Sequence, residues 1–493
     1  MKQISYKTLE EQDYKGFLLK EAEEKVLQFG EGVFMRAFIE NFIDEMNEKA
    51  GFNGKVVLVQ PRGGHPEITE NFEKQDGLYT LILRGRENGE KVSKSRVISC
   101  VSRCLDPKAD WDAVLACAEN QSLRFIFSNT TEAGIAFDAN CKLDDVPPAS
   151  FPAKLTAFLY KRYTLGLPGF YILPCELNDN NGKLLKDCIK KYVTLWELPE
   201  DFTKWLEEEN TICQTLVDRI VTGYPKAEAE AIEKELGYTD ALLDTGEVFA
   251  SFVIEAPESI KNELPFAKTD LPVVLTTDHK PYKERKVRIL NGAHTSMVLG
   301  AYLAGEDIVR SCMANDTIRG FMNKCLAEEI IPTLDLDKKE LEDFAAAVQE
   351  RFDNPYIDHE LLAIAMNSTS KWKARVMPSV LAYAERMGKL PKCLTFSFAA
   401  YAAFYHRGEA LENGALIGKR NGQDYLIRDD EAVLQWFYDH RNDDAQAFID
   451  ALVKNENFWG DALAKVDGFA ETAGEMLARI LELGMAEAMK EML

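Results

Sequence analysis

The sequence predicts an α/β domain built on a parallel sheet over residues 1–276, followed by a mainly α-helical domain over residues 277–493. Three observations lead to this fold class. The chain has 493 residues, and single domains usually span about 100–200 residues, so more than one domain is expected. Short apolar runs of β type alternate with helical segments in the first half. After about residue 280 the β-type runs stop and helical periods dominate.

The first half alternates strand and helix along the chain. Its β-rich runs are KVLQFG (25–30), KVVLVQP (55–61), RVISCV (96–101), LRFIFSNT (123–130) and FYILPCEL (170–177). The helical segments between them cover 34–50, 111–120, 152–166 and 182–198. Apolar strands that alternate with helices are typical of a parallel sheet covered on both faces. Two further strand-like runs, at 249–256 and 271–278, follow a helical insert.

The second half is predicted to be helical to its end. Helical periods appear in KVRILNGAHTSMVLGAYLAG (286–305), LEDFAAAVQERF (341–352) and AGEMLARILELGMAEAMKEML (473–493). The longest apolar run, LTFSFAAYAAFY (394–405), is too short to span a bilayer and predicts a buried helix. The polar, glycine-containing stretch 410–430 predicts a loop or a small excursion. No low-complexity linker separates the two domains, so we expect a close interface, and such a cleft is a common ligand site.

Composition excludes several classes of function. The formal net charge of −23 argues against nucleic acid or an anionic membrane as a partner, since both require a basic face. Ten cysteines without a CxxC pair predict free thiols in a reducing cytoplasm. The six histidines are isolated from one another, so no metal site is predicted. The polar N-terminal stretch is unlike a signal peptide. Composition therefore predicts a cytoplasmic protein, as a monomer or small homo-oligomer, and leaves a small-molecule substrate open.

A glycine-rich turn follows the first predicted strand, in QFGEGVFMRAF (28–38). Gly30 and Gly32 satisfy the first two positions of G-x-G-x-x-G, while Met35 occupies the third. The turn opens a helix, whose N–H groups and dipole favour a pyrophosphate, with Phe34 and Arg36 in the first turn and Arg36 able to add positive charge. This context predicts a Rossmann-type dinucleotide-binding domain. The alternative is a tight strand-to-helix turn without a ligand.

The end of the second predicted strand leaves the choice of dinucleotide open. An NAD site often carries Asp or Glu there to bind the ribose hydroxyls, but residues 60–64 contain no acid. Gln60 can bind a ribose hydroxyl, whereas Arg62 can pair with a 2′-phosphate.

Several segments together resemble one family, the polyol-specific long-chain dehydrogenases, also called the mannitol dehydrogenase family. These segments are QFGEGVFMRAF (28–38), QDGLYT (75–80), SNTTEAGI (128–135), PCELNDNNG (174–182), VDRIVTGYP (217–225), PYKERKVRILNGAHT (281–295) and RFDNPYIDH (351–359). The resemblance spans roughly residues 25 to 405 and implies a Rossmann-type domain, a helical C-terminal domain and an active site between them. It also implies metal-independent hydride transfer between NAD(H) and a sugar carbonyl.

The family's catalytic pattern is a lysine, an asparagine five residues on and a histidine three further, which Lys286, Asn291 and His294 match. A second asparagine of the family falls on Asn181, with Asn180 adjacent. Lys286 is expected to act as the acid in ketone reduction, the two asparagine amides as an oxyanion hole, and His294 to orient the substrate. On an ideal α-helix Lys286 and Asn291 lie roughly 140° apart, so they do not share a face automatically.

The remaining matched positions are expected to line the cofactor and the substrate. Asn129, Thr131 and Glu132 follow the fourth strand and are expected to face the nicotinamide; the alternative is a loop that caps a helix. Lys371 matches a lysine with which the family holds its sugar, but its companion arginine is replaced by Ala363. Nearby Lys373 and Arg375 are further cations for a carboxylate.

The resemblance implies an NAD-dependent reduction of D-tagaturonate to D-altronate in hexuronate breakdown. Alternatives within the family are a reductase of D-fructuronate and a polyol dehydrogenase. An alternative of a different class is a dinucleotide-binding sensor without catalysis, which would need none of the four catalytic residues.

Overall fold

A six-stranded parallel sheet forms the centre of the first half of the chain in a computed structural model, which describes residues 1–406 and 408–493. The strands of this half are β1 Glu23–Phe29, β2 Gly54–Val59, β3 Tyr79–Glu87, β4 Glu90–Ile98, β5 Val101–Leu105, β6 Phe125–Ser128, β7 Tyr171–Pro174, β8 Thr211–Ile212, β9 Gln214–Asp218, β10 Asp244–Glu247, β11 Ser251–Glu255 and β12 Val273–Thr276. The large sheet has the order β5-β2-β1-β6-β7-β8, and every pairing in it is parallel. Strand order reverses between β1 and β6, which is where doubly wound sheets bind their ligands.

Helices flank this sheet and complete the first unit, which contains residues 1–84 and 92–279. They are α1 Tyr6–Glu11, α2 Val33–Met35, α3 Asn41–Ala50, α4 Pro66–Lys74, α5 Trp111–Ala116, α6 Phe151–Thr164, α7 Asn181–Leu195, α8 Glu200–Glu208, α9 Ala229–Leu236 and α10 Ile260–Glu263. A π-helical segment, Arg36–Glu40, joins α2 to α3 without a break, and 3₁₀ turns occur at Cys117–Glu119, Glu132–Gly134 and Phe266–Lys268.

Side-chain alternation along the strands builds two cores, one on each face of the sheet. On β2, Val56 and Leu58 pack with Phe38 and Phe42, whereas Val57 and Val59 belong to the core on the other face. Both faces are apolar because successive side chains of a strand point to opposite sides and both sides are covered by helices. The predicted parallel sheet with two covered faces is therefore confirmed. Two smaller sheets, β10-β3-β4 and β12-β11-β9, complete the unit.

The second unit contains residues 85–91 and 280–493 and is mostly helical. Its helices are α11 Lys280–Arg285, α12 Gly292–Ala304, α13 Val309–Ala314, α14 Asp316–Lys324, α15 Lys338–Phe352, α16 Leu361–Ala365, α17 Ser368–Arg375, α18 Met377–Met387, α19 Lys392–Tyr405, α20 Glu431–Asp439, α21 Ala445–Val453, α22 Glu456–Trp459, α23 Phe469–Leu483 and α24 Met485–Lys490. π-Helical segments occur at Lys286–Asn291 and Cys325–Ile330, and 3₁₀ turns at Ile331–Thr333 and Leu463–Lys465. The apolar run 394–405 lies in α19, which is buried along nearly its whole length as predicted. The sequence placed the domain boundary after residue 276, and the two units meet in the chain between His279 and Lys280.

The stretch 410–430 is a sheet rather than the predicted loop. It forms β13 Ala410–Glu412, β14 Ala415–Arg420 and β15 Gln423–Ile427, paired antiparallel in that order. The reason is local: Asn413-Gly414 and Asn421-Gly422 both have positive φ at each residue, which is the two-residue turn that closes a hairpin. No helix among residues 1–406 and 408–493 is long and apolar enough to cross a membrane.

Candidate active site

The glycine turn lies at the switch point of the large sheet. β1 ends at Phe29, which pairs in register with Ser128 at the end of β6. Gly30 has a φ of +126°, and a Cβ there would lie 2.7 Å from the Asn129 carbonyl oxygen, so only glycine fits. Gly32 is the N-cap of the helix, and a Cβ there would meet no atom within 4 Å. The helix N-terminus at Val33 therefore faces open space at the edge where a pyrophosphate is expected to bind.

The rest of the first helical turn packs inward. Met35, at the third motif position, is buried in the core, and the Phe34 ring stacks on Phe38 with centroids 5.2 Å apart. The expected phosphate contact from Arg36 is wrong. Its guanidinium is buried, donates to the Leu242 carbonyl and lies 3.9 Å from Asp244, so it stabilises the protein interior instead of facing the phosphates.

A buried polar network lies directly behind the turn. Gln28 donates from Nε2 to the Gly30 carbonyl and to Glu40, and the Tyr79 hydroxyl donates to the other Glu40 oxygen. Burial raises the pKa of Glu40 to about 7, although the hydrogen bonds from Gln28 and Tyr79 and the charge of Arg36 oppose the shift. Sequence reasoning missed Glu40, because a glutamate in an amphipathic helix ordinarily faces water.

The predicted ribose contact from Gln60 is also wrong. Its side chain is fully buried, donates to the His65 carbonyl at 2.8 Å and to Thr69 at 3.2 Å, and accepts from the His65 N–H. Gln60 therefore orders the loop that follows β2, and both of its amide hydrogens are used within that loop. Arg62, in the same loop, is exposed.

The loop after β6 is held by a residue that the sequence gave no reason to select. The Glu176 carboxylate accepts from Ser128 Oγ, from the Thr130 N–H and from Thr130 Oγ1. Burial raises the pKa of Glu176, while these bonds lower it. With the loop fixed in this way, Asn129 donates to the Cys175 carbonyl at 2.8 Å.

Thr131 and Glu132 lie at the exposed end of the same loop. Thr131 has a φ of +68°, which is strained for a β-branched residue and is often found at functional sites. Its side chain makes no capping bond, so the helix-cap alternative is wrong for Thr131. The Glu132 carbonyl accepts from Asn178 Nδ2 at 3.0 Å.

Asn181, the second asparagine expected to form the oxyanion hole, bonds to neighbouring protein groups in this structure. Its Nδ2 donates to the carbonyls of Pro174 and Glu176 and to Thr215, and its Oδ1 accepts from the N–H groups of Gly182 and Thr215. Both ends of this buried amide are thus occupied by the protein. In this arrangement Asn181 joins β7, α7 and β9.

The Lys–Asn–His motif lies on one continuous helix of the second unit. α11 passes at Lys286 into the π-helical segment Lys286–Asn291, and α12 begins at Gly292. The Gly292 N–H donates to the Val287 carbonyl, five residues earlier. In a π-helical turn residues five apart lie one above the other, so Lys286 and Asn291 share a face. The π-helical turn therefore removes the 140° separation expected on an ideal α-helix, and the sequence did not predict such a turn.

His294 lies one turn further along the helix. Its ring stacks on Phe352 with centroids 3.9 Å apart and meets the His359 ring edge-on at 5.6 Å. Its Nε2 is buried and has no hydrogen-bond partner among residues 1–406 and 408–493. Burial, followed by the charges of His359, Arg351, Arg375 and Lys371, holds the pKa of His294 well below its usual range. The imidazole is therefore neutral and suited to hydrogen bonding rather than to carrying charge.

The three cations predicted near residue 371 differ in burial: Lys371 and Arg375 are half-buried, and Lys373 is exposed. Lys371 is half-buried and donates from Nζ to the Ile364 carbonyl at 2.8 Å. Arg375 is half-buried, with Nη1 3.5 Å from Thr295 Oγ1. Lys373 is exposed, as is Ala363, where the family's arginine is missing.

One group of residues offers three ligand atoms suited to a metal. Glu255, Asp278 and His279 lie together at the end of the first unit. His279 Nδ1 is 2.5 Å from a Glu255 oxygen, which is a hydrogen-bond distance. We assign no metal to it.

Comparison with known families gives two matches that together cover most of the chain. The model of the mannitol dehydrogenase Rossmann domain matches residues 24–268, and that of the mannitol dehydrogenase C-terminal domain matches residues 278–481. An altronate oxidoreductase of Escherichia coli O7:K1 (strain IAI39 / ExPEC) is 44% identical over 495 residues. An altronate oxidoreductase of Klebsiella pneumoniae (strain 342) is 43% identical over 495 residues. Both alignments cover 98% of this chain and 99% of the relative.

Solved structures share the fold at lower identity. The chain matches the crystal structure of a D-sorbitol dehydrogenase in substrate-free form with a TM-score of 0.81 and 21% identity, over 99% of this chain and 100% of that chain. It matches the ternary complex of Pseudomonas fluorescens mannitol 2-dehydrogenase with NAD and D-mannitol with a TM-score of 0.66 and 20% identity, over 99% of each chain. At these identities the likeness is one of fold.

Proposed function

Because the chain belongs to the mannitol dehydrogenase family, we propose that it catalyses the reversible, NAD(H)-dependent reduction of D-tagaturonate to D-altronate in the cytoplasm. Identity of 43–44% over nearly the whole length to altronate oxidoreductases supports this substrate rather than D-fructuronate or a neutral polyol. The ten cysteines are all free and buried, which suits a reducing compartment.

The observation that carries the proposal is the shared face of Lys286 and Asn291, with the unpartnered Nε2 of His294 one turn further on. A buried ring nitrogen without a partner costs free energy unless a bound molecule supplies the bond. A solvated helix would gain nothing from this arrangement. A dinucleotide sensor without catalysis would not need it either.

The residues at the end of β1 fit the dinucleotide. The open side of Gly32 and the helix N-terminus at Val33 would hold its pyrophosphate, and the loop at Asn129, Thr131 and Glu132 would face its nicotinamide. When bound, the reduced nicotinamide supplies the hydride that adds to the carbonyl carbon. The solved complex of mannitol 2-dehydrogenase with NAD, which shares the fold, supports NAD as the dinucleotide.

Lys286 manages the proton in this scheme. As hydride reaches the carbonyl carbon, the carbonyl oxygen gains a negative charge and takes a proton from the Lys286 ammonium. The Asn291 amide donates a hydrogen bond to the same oxygen and stabilises the developing charge. In the oxidative direction, neutral Lys286 removes the proton from the alcohol. Neutral His294 hydrogen-bonds to the substrate through Nε2 and orients it.

The test is NADH oxidation by the purified protein with D-tagaturonate, D-fructuronate and D-fructose, each repeated with NADPH. We expect fast turnover with D-tagaturonate and NADH. Preference for D-fructuronate or D-fructose would keep the Lys286 chemistry and overturn the substrate. Tight NADH binding without turnover of any substrate would contradict the proposal and favour the sensor.

A further inference from the structure

A cluster of positive charge surrounds His294 in the second unit. Lys371 and Arg375 reach it from α17, and Arg351 from the end of α15. The His359 ring lies 5.6 Å from the His294 ring, and burial followed by the charges of Arg351 and Lys371 lowers the pKa of His359, so this ring adds no fixed charge. The whole chain carries a net charge of −23, so a local concentration of cations in a half-buried place is a departure from its average.

Arg375 lies against the first turn of α12, the helix that bears His294. A Cβ at Gly292 would lie 3.4 Å from the Arg375 carbonyl oxygen, an ordinary van der Waals distance, so the end of α17 lies directly beside the start of α12. The guanidinium then lies along the helix, with Nη1 3.5 Å from Thr295, the neighbour of His294. The head group of Arg375 is therefore held beside the Asn–His part of the site.

The charge of Arg375 is not compensated by the protein. Among the residues that the structure describes, no acidic side chain forms an ion pair with Arg375, and the Thr295 contact is its only hydrogen bond. Two other arginines of this unit have partners within the protein. Arg285 forms an ion pair with Glu340, and Arg288 donates hydrogen bonds to Ser379 and Thr333. A half-buried guanidinium with unused donors is poised for an anion from outside the chain.

Lys371 is a weaker candidate for the same role. Burial and Arg375 lower the pKa of Lys371, but Asp429 opposes that shift, so this lysine already has a nearby acid. Burial alone lowers the pKa of Arg375. A bound carboxylate would offset this desolvation, and the planar guanidinium matches a carboxylate with two parallel hydrogen bonds.

We propose that Arg375 selects sugar acids over neutral sugars by pairing with the carboxylate of the substrate. This inference rests on the proposed function and deepens it. The same pairing explains how the chain can bind a substrate although Ala363 replaces the family's arginine. Arg375 would bind the carboxylate of a hexuronate, whereas a neutral polyol has no charge to pair with Arg375.

The test compares Arg375→Gln with Lys373→Gln. Both remove one positive charge from α17, but Lys373 is exposed. Steady-state rates are measured with D-tagaturonate and with D-tagatose, which has a hydroxymethyl group in place of the carboxylate. We expect Arg375→Gln to raise KM for D-tagaturonate about 10- to 100-fold, the value of a charge-assisted hydrogen bond, while kcat/KM for D-tagatose, KM for NADH and the melting temperature stay near wild type. Lys373→Gln should change none of these.

Other outcomes separate this inference from the proposed function. If wild type reduces D-tagaturonate and Arg375→Gln keeps the same preference over D-tagatose, the inference is overturned and the function stands. If wild type prefers D-fructuronate and Arg375→Gln loses that preference over D-fructose, the inference stands and the substrate is wrong. If wild type turns over neither acid, D-altronate binding in the presence of NADH decides: binding lost in Arg375→Gln supports the inference, and equal or absent binding overturns it.

Discussion

Replacing Gly32 by alanine should separate cofactor binding from folding. The backbone at Gly32 has φ −68° and ψ 165°, which alanine adopts without strain, and a Cβ there would meet no protein atom within 4 Å. We expect the free energy of unfolding to change by less than about 0.5 kcal/mol, as for an ordinary surface substitution. The added methyl group lies where a pyrophosphate must approach the helix N-terminus, so binding of NADH should suffer instead.

The expected loss of NADH affinity can be calculated from the hydrogen bonds between the helix N–H groups and the pyrophosphate. A hydrogen bond from an N–H to a charged group contributes about 1.5–3 kcal/mol, so losing one raises Kd for NADH roughly 10- to 100-fold. The assay is a titration of NADH followed by its fluorescence, with a thermal melt of the same sample.

Gly30→Ala serves as the contrasting variant. A Cβ at Gly30 would lie 2.7 Å from a backbone oxygen at a φ of +126°, so we expect a loss of at least about 1–3 kcal/mol in stability. NADH affinity of Gly32→Ala equal to wild type would refute the placement of the pyrophosphate. If the melting temperature of Gly32→Ala fell to that of Gly30→Ala, the claim that a Cβ at position 32 meets no protein atom would be refuted.

Three further predictions concern Glu40, Asn181 and Asn291. Burial raises the pKa of Glu40 to about 7 from the usual 4.5, so the folded state holds this proton more tightly than the unfolded state, and stability should fall as pH rises from about 4.5 through 7, by up to about 3 kcal/mol. In urea unfolding at several pH values Glu40→Gln should remove that fall, and an unchanged pH profile would show that Glu40 does not hold the proton. Asn181→Ala leaves several buried backbone groups unpaired and should lower stability by about 2–4 kcal/mol, whereas Asn291→Ala should lower kcat about 100- to 1000-fold with its melting temperature intact. The same thermal melts and rate assays check both, and a stable Asn181→Ala with a large loss of kcat would restore the catalytic role of Asn181.

Sequence periodicity predicted β1, β2, β6 and β7 of the large sheet, since strands buried on both faces are continuous apolar runs such as KVVLVQP. The predicted strand 96–101 instead covers the end of β4 and the start of β5, and β3, β9 and β10 were not predicted. The hairpins were missed although each carries a signal. Asn88-Gly89, Asn413-Gly414 and Asn421-Gly422 have positive φ at both residues, and Asn-Gly is a residue pair that favours the two-residue hairpin turn. Their strands are too polar to be recognised by hydrophobicity alone.

The direction of individual polar side chains could not be read from the motif. Arg36 and Gln60 occupy motif positions where a ligand contact is chemically reasonable, but both point inward because buried backbone carbonyls need donors. The amide of Asn181 likewise donates to a buried backbone carbonyl, that of Pro174. The π-helical segment Lys286–Asn291 is a property of backbone hydrogen bonding, which residue types do not specify. Arg375 was one of two candidate cations, and only its burial against α12 distinguishes it from Lys373.

The most direct test of the central claim is the turnover of Lys286→Ala with D-tagaturonate and NADH, measured beside NADH affinity. Lys283→Ala, in the preceding turn, is the matched control. If Lys286 supplies the proton, kcat of Lys286→Ala should fall by about 100-fold or more while Kd for NADH stays near wild type, and Lys283→Ala should keep most of its activity. Near-normal turnover of Lys286→Ala would contradict the account.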